Sequence, residues 1–520
     1  MRHDVLVIGG GPVGLTCSLL LAQQGLRVAL IEKQSSNRLG LGAVALDDEC
    51  LRIWQSCGLE QILCDDWEAG ENGSVMCEYL DARGRPFIQI NQHDSDLGYP
   101  HAVAINLGCI IEKLRNHVDQ HTSIEVFSGC KMSDIREQED RVTIKCKNLD
   151  NETLSLNASW AIACDGSSSK TREILNIPFR GKTLKNPWLV VDFDDHNQNG
   201  HAQFRCFPNK AIVTVPMPHG TRRIERMLDP DTVDAQLLDD ETQIRNLLLQ
   251  AWDGAISSPI RAKAIMRFHA RIAERWRIGR IFLAGDAAHQ TPPFAGQGLA
   301  TGLRDASNLC FKIAGVHQGW LDEQVLDTYE LERRPHQEKM IKLALRLGSI
   351  MAPKSRLHAN CMHGTLRTLM MIPAVRTRLQ LRGAGIRPRI RSGFLNTSKF
   401  SGSYLPQPWI NTEGSNRVRL DELLGRRMTW ISLGNRRDYG AINISFLNPC
   451  DTLLVENRDF QDPDLFLQRR FGEGSLLLIR PDRVIHTHYL QSDSITIQER
   501  ITTCAPLASE PSCPSESALV

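Results

Sequence analysis

The 520-residue sequence lacks the features that mark several common classes of protein. It has no run of about 18 apolar residues, which is the length that a membrane-spanning helix needs. Its formal net charge is only +1, so no general positive field favours nucleic acid or an anionic membrane surface. We therefore expect neither a membrane protein nor a nucleic-acid-binding protein.

The 15 cysteines include no Cys-x-x-Cys pair, a pattern that is typical of zinc sites and of redox-active disulfides. Their odd number fits free thiols in a reducing compartment better than a framework of disulfides. The N-terminus (MRHDVLVIGGGPVG) starts a strand almost at once, unlike a secretory signal peptide. We therefore expect a cytoplasmic protein without a metal site, and the assembly that we consider is a homodimer.

The chain opens with a strand–helix–strand pattern around a glycine-rich turn. An apolar run leads into a G-x-G-x-x-G turn, and a helical pattern and a second strand follow. Glycines permit a tight turn and a close approach of backbone to a pyrophosphate, which the helix N-terminus attracts. A glutamate ends the second strand where a carboxylate reaches the hydroxyls of an adenosine ribose. The pattern predicts that NAD or FAD binds to Gly9, Gly11, Pro12, Gly14, Glu32 and Lys33.

Two later segments favour FAD over NAD. WAIACDGSSSKTR (160–172) is a strand that ends in Asp165 and a glycine, and RIFLAGDAAH (280–289) is a strand that delivers Asp286 after a glycine. An NAD dehydrogenase needs only the first motif, whereas a flavin has a ribityl chain and a ring that lie far from the adenine. We predict that Asp165 contacts the cofactor and that Asp286 accepts hydrogen bonds from the ribityl hydroxyls.

The stretch PPFAGQGLATG, which follows the second of these strands, is shaped for a flavin ring. Pro293 and the proline before it stiffen the backbone beneath the ring. A helix then starts near Gly298 and Leu299, and its N-terminal amides are expected to face the flavin edge that becomes anionic on reduction.

Together these motifs resemble the class A flavoprotein aromatic hydroxylases over about residues 4–400. The resemblance implies one FAD domain that also serves NADH or NADPH, and no second G-x-G-x-x-G occurs. It implies that reduced FAD reacts with O₂ to a C4a-hydroperoxide, which transfers oxygen to a small aromatic substrate. Stretches such as ARIAERWRIGRIFLAGDAAH look most like the members that hydroxylate phenols with a short acidic side chain, ortho to the hydroxyl.

Two other functions stay open on this fold. One is a tailoring monooxygenase that hydroxylates polycyclic phenols or carries out epoxidation or Baeyer–Villiger oxidation. The other is a flavin-binding protein without turnover, against which the intact Gly-Asp segment argues. Relatives usually have an arginine that touches FAD where this chain has Gly42, and Arg38 is our candidate to replace it. Leu107 stands where relatives tend to have glutamine.

No side chain needs to act as a nucleophile in this chemistry, so the sequence indicates the cofactor site better than a catalytic residue. Asp47, on the strand-like stretch GAVALDD, is our catalytic candidate, and a helix cap is the alternative. His289 is expected to be a histidine whose bonds are satisfied within the protein. Arg205 is expected to be a surface residue, with a partner for a substrate carboxylate as the alternative.

The expected architecture is α/β: a Rossmann-like FAD-binding domain, an inserted β domain and a C-terminal thioredoxin-like domain. We assign 1–75, 101–180 and 267–350 to the FAD-binding domain, 76–100 and 181–266 to a mostly β substrate-binding insert, 351–400 to a helical segment, 416–497 to the thioredoxin-like domain and 501–520 to a disordered tail. The thioredoxin-like domain lacks Cys-x-x-Cys, so we expect it to have no redox activity.

We predict that the purified protein is yellow and holds one FAD without a covalent bond, because three separated motifs converge on one dinucleotide. Absorbance of the protein and of the extracted cofactor checks this. A colourless protein that added FAD fails to reconstitute would contradict the interpretation.

Overall fold

A computed structural model of the chain describes residues 3–35, 41–68, 71, 74–195, 200–208, 210–231, 235–377, 389–412, 416–433, 451–455 and 460–490. The chain divides into two compact units, Met1–Ser307 with Arg334–Pro388 and Asn308–Arg333 with Arg389–Val520. Arg38 and the expected disordered tail lie outside the described residues. Among the helices that are described, none is both long and apolar enough to cross a lipid bilayer.

The first unit contains a six-stranded sheet, which we name the cofactor sheet. Its strand Val5–Ile8 pairs in parallel with Trp160–Ala163 on one side and with Val28–Glu32 on the other. Ile281–Leu283 and Ile124–Ser128 extend the parallel arrangement outward, and Arg277–Ile278 adds an antiparallel edge. The strands that carry the three expected cofactor motifs are therefore neighbours, and their carboxyl ends lie at one edge of the sheet.

The insert forms a seven-stranded sheet, which we name the cavity sheet. Its strands are, in spatial order, Ile260–Met266, Trp188–Asp194, Thr221–Met227, Ile212–Met217, Ala202–Arg205, Val75–Leu80 and Pro86–Asn91. Neighbours are antiparallel except Ala202–Arg205 and Val75–Leu80, which are parallel. Alternate residues share a face, so Trp188, Val213 and Met227 belong to one apolar cluster.

Smaller sheets complete the first unit. They comprise Lys131–Gln138, Arg141–Lys147 and Thr153–Ala158; Phe179–Thr183, His269–Ala273 and His289–Gln290; and Ala45–Asp47, Ala102–Ile105 and Trp67–Glu68. Helices along the described chain include Pro12–Gln23, Asp48–Ser56, Leu107–Asp119, Lys170–Ile174, Glu241–Leu248, Gly298–His317, Thr328–Met351, Arg356–Met370, Leu420–Leu423 and Phe466–Phe471. Polar side chains such as Asp47 and Asn106 accept hydrogen bonds from the first turns and so fix where these helices begin.

The second unit contains the thioredoxin-like sheet. Thr429–Leu433 lies between Asp451–Val455, which runs parallel to it, and Ser475–Ile479, which runs antiparallel. Ile485–Tyr489 pairs with the outer side of Ser475–Ile479. A separate three-stranded sheet of this unit consists of Arg417–Arg419, Trp409–Thr412 and Phe460–Gln461.

The helical segment that we expected over 351–400 needs a correction at its end. Helix covers Arg356–Met370, but residues 389–400 form a loop. Backbone groups of this loop bond outward rather than within a helix: the Asn396 N–H donates to the His486 carbonyl at 3.1 Å, and the Ile390 N–H donates to the Gly402 carbonyl at 2.9 Å.

A group of buried charges holds the second unit together. Arg480 donates to both Glu332 and Asp482, and Lys312 also pairs with Glu332. Asn308 donates to Glu332 at 2.7 Å and accepts from Lys312 at 2.9 Å. Burial by itself raises the pKa of Glu332, but the charges of Arg480 and Lys312 outweigh it and lower the pKa to about 2.

This group of buried charges links residues 308–333 to the C-terminal unit. We assigned residues 308–333 to the FAD-binding domain as part of 267–350, whereas the structure groups them with the C-terminal unit. The buried carboxylate of Glu332 pairs with Arg480, and the Asn308 amide donates to Asp482 at 3.3 Å. Buried charges without partners are costly, so these contacts keep the segment with residues 480–482.

We predict that Glu332→Ala destabilises the protein by about 3–5 kcal/mol, because it leaves the buried Arg480 and Lys312 without their shared carboxylate. Thermal unfolding of the purified protein measures the effect. Glu338→Ala, an exposed position on the same helix, is the control and should leave the melting temperature nearly unchanged. Equal melting temperatures for the two variants would contradict the prediction.

Candidate active site

A cavity of about 1290 Å³ opens in the first unit. It is lined by the turns at the carboxyl edge of the cofactor sheet, by residues 42–47 and by one face of the cavity sheet. Among the residues that the sequence assigned to the cofactor, those in the lining are Gly11, Pro12, Asp286, Pro293, Gly298 and Leu299. Gly9, Gly14, Glu32, Lys33 and Asp165 lie outside the lining.

The glycines of the first turn have distinct steric roles. Gly9 has φ +106°, and a Cβ there would lie 2.4 Å from the Cys164 carbonyl oxygen. A Cβ on Gly14 would lie 1.9 Å from the Gly9 carbonyl oxygen. Gly11 instead faces open space, with no atom within 4 Å of where a Cβ would stand. The outer two glycines therefore allow close packing, and the middle one leaves room for a pyrophosphate beside the helix N-terminus.

The carboxylate of Glu32 stabilises the same turn. It accepts hydrogen bonds from the Gly10 N–H at 2.5 Å and from the Gln34 N–H at 2.8 Å. A carboxylate has about four lone-pair sites, so two remain for the hydroxyls of a ribose. Lys33 beside it is exposed.

Asp286 is the carboxylate that suits a ribityl chain. Its side chain is accessible from the cavity and forms no hydrogen bond with any residue that the structure describes. Surrounding protein atoms raise the pKa of its carboxyl by desolvation, and His289 opposes this rise. Asp165 already has partners within the protein: one of its oxygens accepts from the Thr171 N–H and hydroxyl, both at 3.0 Å. Its other oxygen is buried without a hydrogen-bond partner among the described residues.

Buried hydrogen bonds hold the turn that presents Asp286. Asp305 accepts from the His289 ring at 2.6 Å and from the Gly285 N–H at 3.2 Å. The interpretation of His289 as a satisfied histidine is therefore confirmed. Arg172 donates to the carbonyl oxygens of Ala287 and Ser167, both at 2.9 Å, and so ties the second motif to the third.

Asp47 lines the cavity, but its carboxylate already bonds to other residues of the protein. It caps helix Asp48–Ser56 by accepting from the Cys50 N–H at 3.2 Å, and it pairs with buried Arg304. Arg304 also pairs with Glu49 and donates to the Gln297 side chain at 2.8 Å. Burial raises the pKa of Glu49 to about 7, although Arg304 opposes the rise. These contacts give Asp47 the structural role that was its alternative, linking residues 47–49 to the loop that precedes helix Gly298–His317.

The two departures from the family pattern are adjacent in space. A Cβ on Gly42 would lie 2.5 Å from the Leu107 side chain, so Leu107 fills the space above Gly42. The Gly42 carbonyl oxygen accepts from Arg223, whose guanidinium also forms a two-bond pair with Asp192. Arg223 is therefore a cavity residue that the sequence analysis missed, because only the fold brings residues 42 and 223 together.

The part of the cavity beyond the turns is mostly apolar. Trp188, Phe268 and Phe294 pack with ring centroids 5.6–6.0 Å apart. Two polar groups lie in this apolar wall, namely the buried amide oxygen of Gln92 and the carboxyl of Glu225. Neither group has a hydrogen-bond partner among the described residues. Arg205 lies outside the lining and donates to the Gln250 carbonyl at 2.9 Å.

Outside this cavity, one group of described side chains has the spacing of metal ligands, namely Asp66, Cys109 and His219. The ammonium of Lys113 already lies 2.7 Å from the Asp66 carboxylate. A cation beside Lys113 would meet a like charge, so this group does not favour a metal.

The chain matches the family model described as FAD binding domain over residues 2–344. It is 33% identical to a 3-(3-hydroxy-phenyl)propionate/3-hydroxycinnamic acid hydroxylase of Klebsiella pneumoniae over 93% of this chain and 91% of that one. It is 32% identical to the enzyme of that name from Shigella sonnei over the same shares. Its fold is similar to the flavin-dependent monooxygenase PieE, solved with FAD and substrate (TM-score 0.80, 19% identity, 97% and 99% coverage). It is also similar to aklavinone-11 hydroxylase, solved with FAD and aklavinone (TM-score 0.77, 21% identity, 97% and 99% coverage).

We predict that Asp286→Ala weakens FAD binding more than Asp47→Ala does. Loss of hydrogen bonds to a charged acceptor costs about 1.5–3 kcal/mol, which is roughly tenfold to a hundredfold in Kd. Asp47→Ala removes a helix cap and a partner of Arg304, so its main effect should be a lower melting temperature of the apoprotein. Fluorescence titration with FAD and thermal unfolding of both variants check this, and the opposite order of FAD dissociation constants would disprove the assignment.

Proposed function

The chain belongs to the family of FAD-dependent aromatic hydroxylases, and from this premise we propose that it uses NADH or NADPH and O₂ to hydroxylate 3-(3-hydroxyphenyl)propionate or a similar phenolic acid. The new hydroxyl enters ortho to the existing one and gives a catechol. One observation carries the proposal: a single cavity runs from the glycine turn and Asp286 to an apolar wall large enough for an aromatic ring.

The residues of the chain hold and shield the reacting groups. When bound, FAD would take a hydride from NAD(P)H and activate O₂ for transfer to the ring. Gly11 and the helix that starts at Pro12 would hold the pyrophosphate, and Asp286 would accept hydrogen bonds from the ribityl hydroxyls. The N-terminus of helix Gly298–His317 lines the cavity, and its positive dipole end would stabilise negative charge on a bound flavin. The aromatic cluster of Trp188, Phe268 and Phe294 keeps water from the ring.

The relatives favour a phenol with a short acidic side chain, because the two named above act on 3-(3-hydroxyphenyl)propionate by their names. A second candidate substrate is a larger polycyclic phenol. Two observations favour it. The wall of the cavity is apolar, and Arg223, the one arginine in the described lining, is already bound by Asp192 and the Gly42 carbonyl and so is not free to pair with a substrate carboxylate.

We also propose that the enzyme works in the cytoplasm. NAD(P)H is available there, and all cysteines that the structure describes are free thiols, which a reducing compartment preserves. The homodimer stays a prediction that light scattering of the purified protein checks.

We predict that 3-(3-hydroxyphenyl)propionate stimulates NAD(P)H oxidation and is converted to a catechol that contains one atom of labelled O₂. Cofactor absorbance and mass spectrometry of the product measure this, with 3-phenylpropionate, which lacks the hydroxyl, as the control substrate. If neither stimulation nor labelled catechol appears, while a polycyclic phenol gives both, the substrate proposal fails and the second candidate replaces it.

A further inference from the structure

Glu225 is a carboxyl in the apolar wall of the cavity. It lies on strand Thr221–Met227 of the cavity sheet, where Val190 and Val213 stand directly opposite on the two neighbouring strands. Residues that face each other in this way share one face of a sheet, so both neighbours of Glu225 on that face are valines. The same residue is part of the cavity lining and is partly accessible from it.

The other charged groups near Glu225 have partners, whereas Glu225 has none among the described residues. Arg223, two residues earlier on the same face, binds Asp192 and the Gly42 carbonyl. The ring of His201, which also lines the cavity, lies 3.0 Å from the Glu78 carboxylate. The side chain of Glu225 forms no hydrogen bond or ion pair with any described residue. Desolvation raises the pKa of its carboxyl, Arg223 opposes the rise and Asp192 adds to it.

Such a carboxyl costs free energy in the unliganded protein. A polar group that is taken out of water without a hydrogen bond is destabilising, and a valine would fit better between Val190 and Val213. Buried polar groups without partners in a cavity are characteristic of groups that bind a ligand. A suitable ligand is an aromatic ring that carries a hydrogen-bond donor, because the ring packs against the apolar wall and the donor bonds to the carboxyl.

We propose that Glu225 binds the phenolic hydroxyl of the substrate and accepts its proton. This inference rests on the proposed function, since it names the residue that recognises the phenol at the same site. It also requires an acidic side chain of the substrate to point away from Glu225, because two carboxylates in a desolvated pocket repel each other.

The proton transfer balances without any other reactant. The phenol O–H bond breaks, its electron pair stays on the phenolate oxygen, and the proton forms an O–H bond with the Glu225 carboxylate. Nothing is oxidised or reduced in this step. A phenolate donates electron density to its ortho carbon, which is the position that the electrophilic oxygen attacks. A carboxyl whose pKa is raised is a better match for a phenol, whose pKa is ordinarily about 10.

The test compares the binding of a phenol with that of its methyl ether, which has no proton to donate. The flavin-containing enzyme is titrated with 3-(3-hydroxyphenyl)propionate and with 3-(3-methoxyphenyl)propionate, and flavin fluorescence or absorbance reports binding. We expect the wild type to bind the phenol at least tenfold more tightly than the ether, since hydrogen bonds to a charged acceptor contribute that much. In Glu225→Gln this preference should fall to about twofold or less, with FAD binding unchanged and kcat/KM lowered.

Two further variants separate recognition from folding. Glu241→Gln removes an exposed carboxyl of the same insert and should keep the full preference for the phenol. Glu225→Val should lose the preference and raise the melting temperature, because it replaces an unpartnered carboxyl with the residue type of its neighbours. A purely structural Glu225 would instead lower the melting temperature on this change and leave the preference intact, which would overturn the inference.

The outcomes for Glu225 and for the proposed function are distinguishable. If the wild type hydroxylates the phenol and Glu225→Gln keeps the preference for phenol over ether, the inference fails and the proposed function stands. If the wild type turns over no phenol but binds it more tightly than the ether, and Glu225→Gln removes that difference, the inference stands and the proposed function fails. If the wild type binds neither compound, both fail.

Discussion

The parallel pairing of Val5–Ile8 with its neighbours is the constraint on which the site depends. Because Trp160–Ala163 lies beside it and Ile281–Leu283 follows, three turns that are far apart in the sequence end at one edge of one sheet. All three strands are buried along their length, so a slip in register would expose apolar residues and misplace every turn. This pairing sets the relative positions of the glycine turn, the Asp165 segment and the Asp286 turn.

Arginines then fix the loops that the sheet only brings near one another. Arg172 joins the second motif to the third, Arg304 joins Asp47 and Glu49 to the loop before the cavity helix, and Arg223 joins the cavity sheet to Gly42. Each guanidinium is buried and carries several donors in a fixed plane, so it orients what it binds. The price is low tolerance to substitution, because removing a carboxylate leaves a buried charge behind.

The sequence predicted the elements whose chemistry is local. Gly9 and Gly14 predict a tight turn because only glycine allows their close approaches to the backbone, and Gly11 between them leaves room for a ligand. A strand that ends in Asp286 after a glycine indicates a polar group at a sheet edge. The same reasoning did not reveal that residues 308–333 group with the C-terminal unit, since the partner of Glu332 is Arg480, more than 140 positions along the chain. It also left the role of Asp47 undecided, because Arg304 reaches it only in the fold. Arg223 and Glu225 carried no motif at all.

The sequence by itself determined the nucleotide-binding turn, the order of α/β and β segments and the flavin chemistry, because these depend on residue types at short fixed spacings. The tertiary structure decided which charges are neutralised and which stay free. Asp47 and Arg223 are held by partners that are distant in the chain, and Asp165 is held by Thr171 nearby. The side chains of Asp286 and Glu225 face the cavity without a partner among the residues that the structure describes. A side chain's availability depends on what surrounds it in three dimensions, and strand alternation alone does not specify the neighbours across a sheet or a cavity.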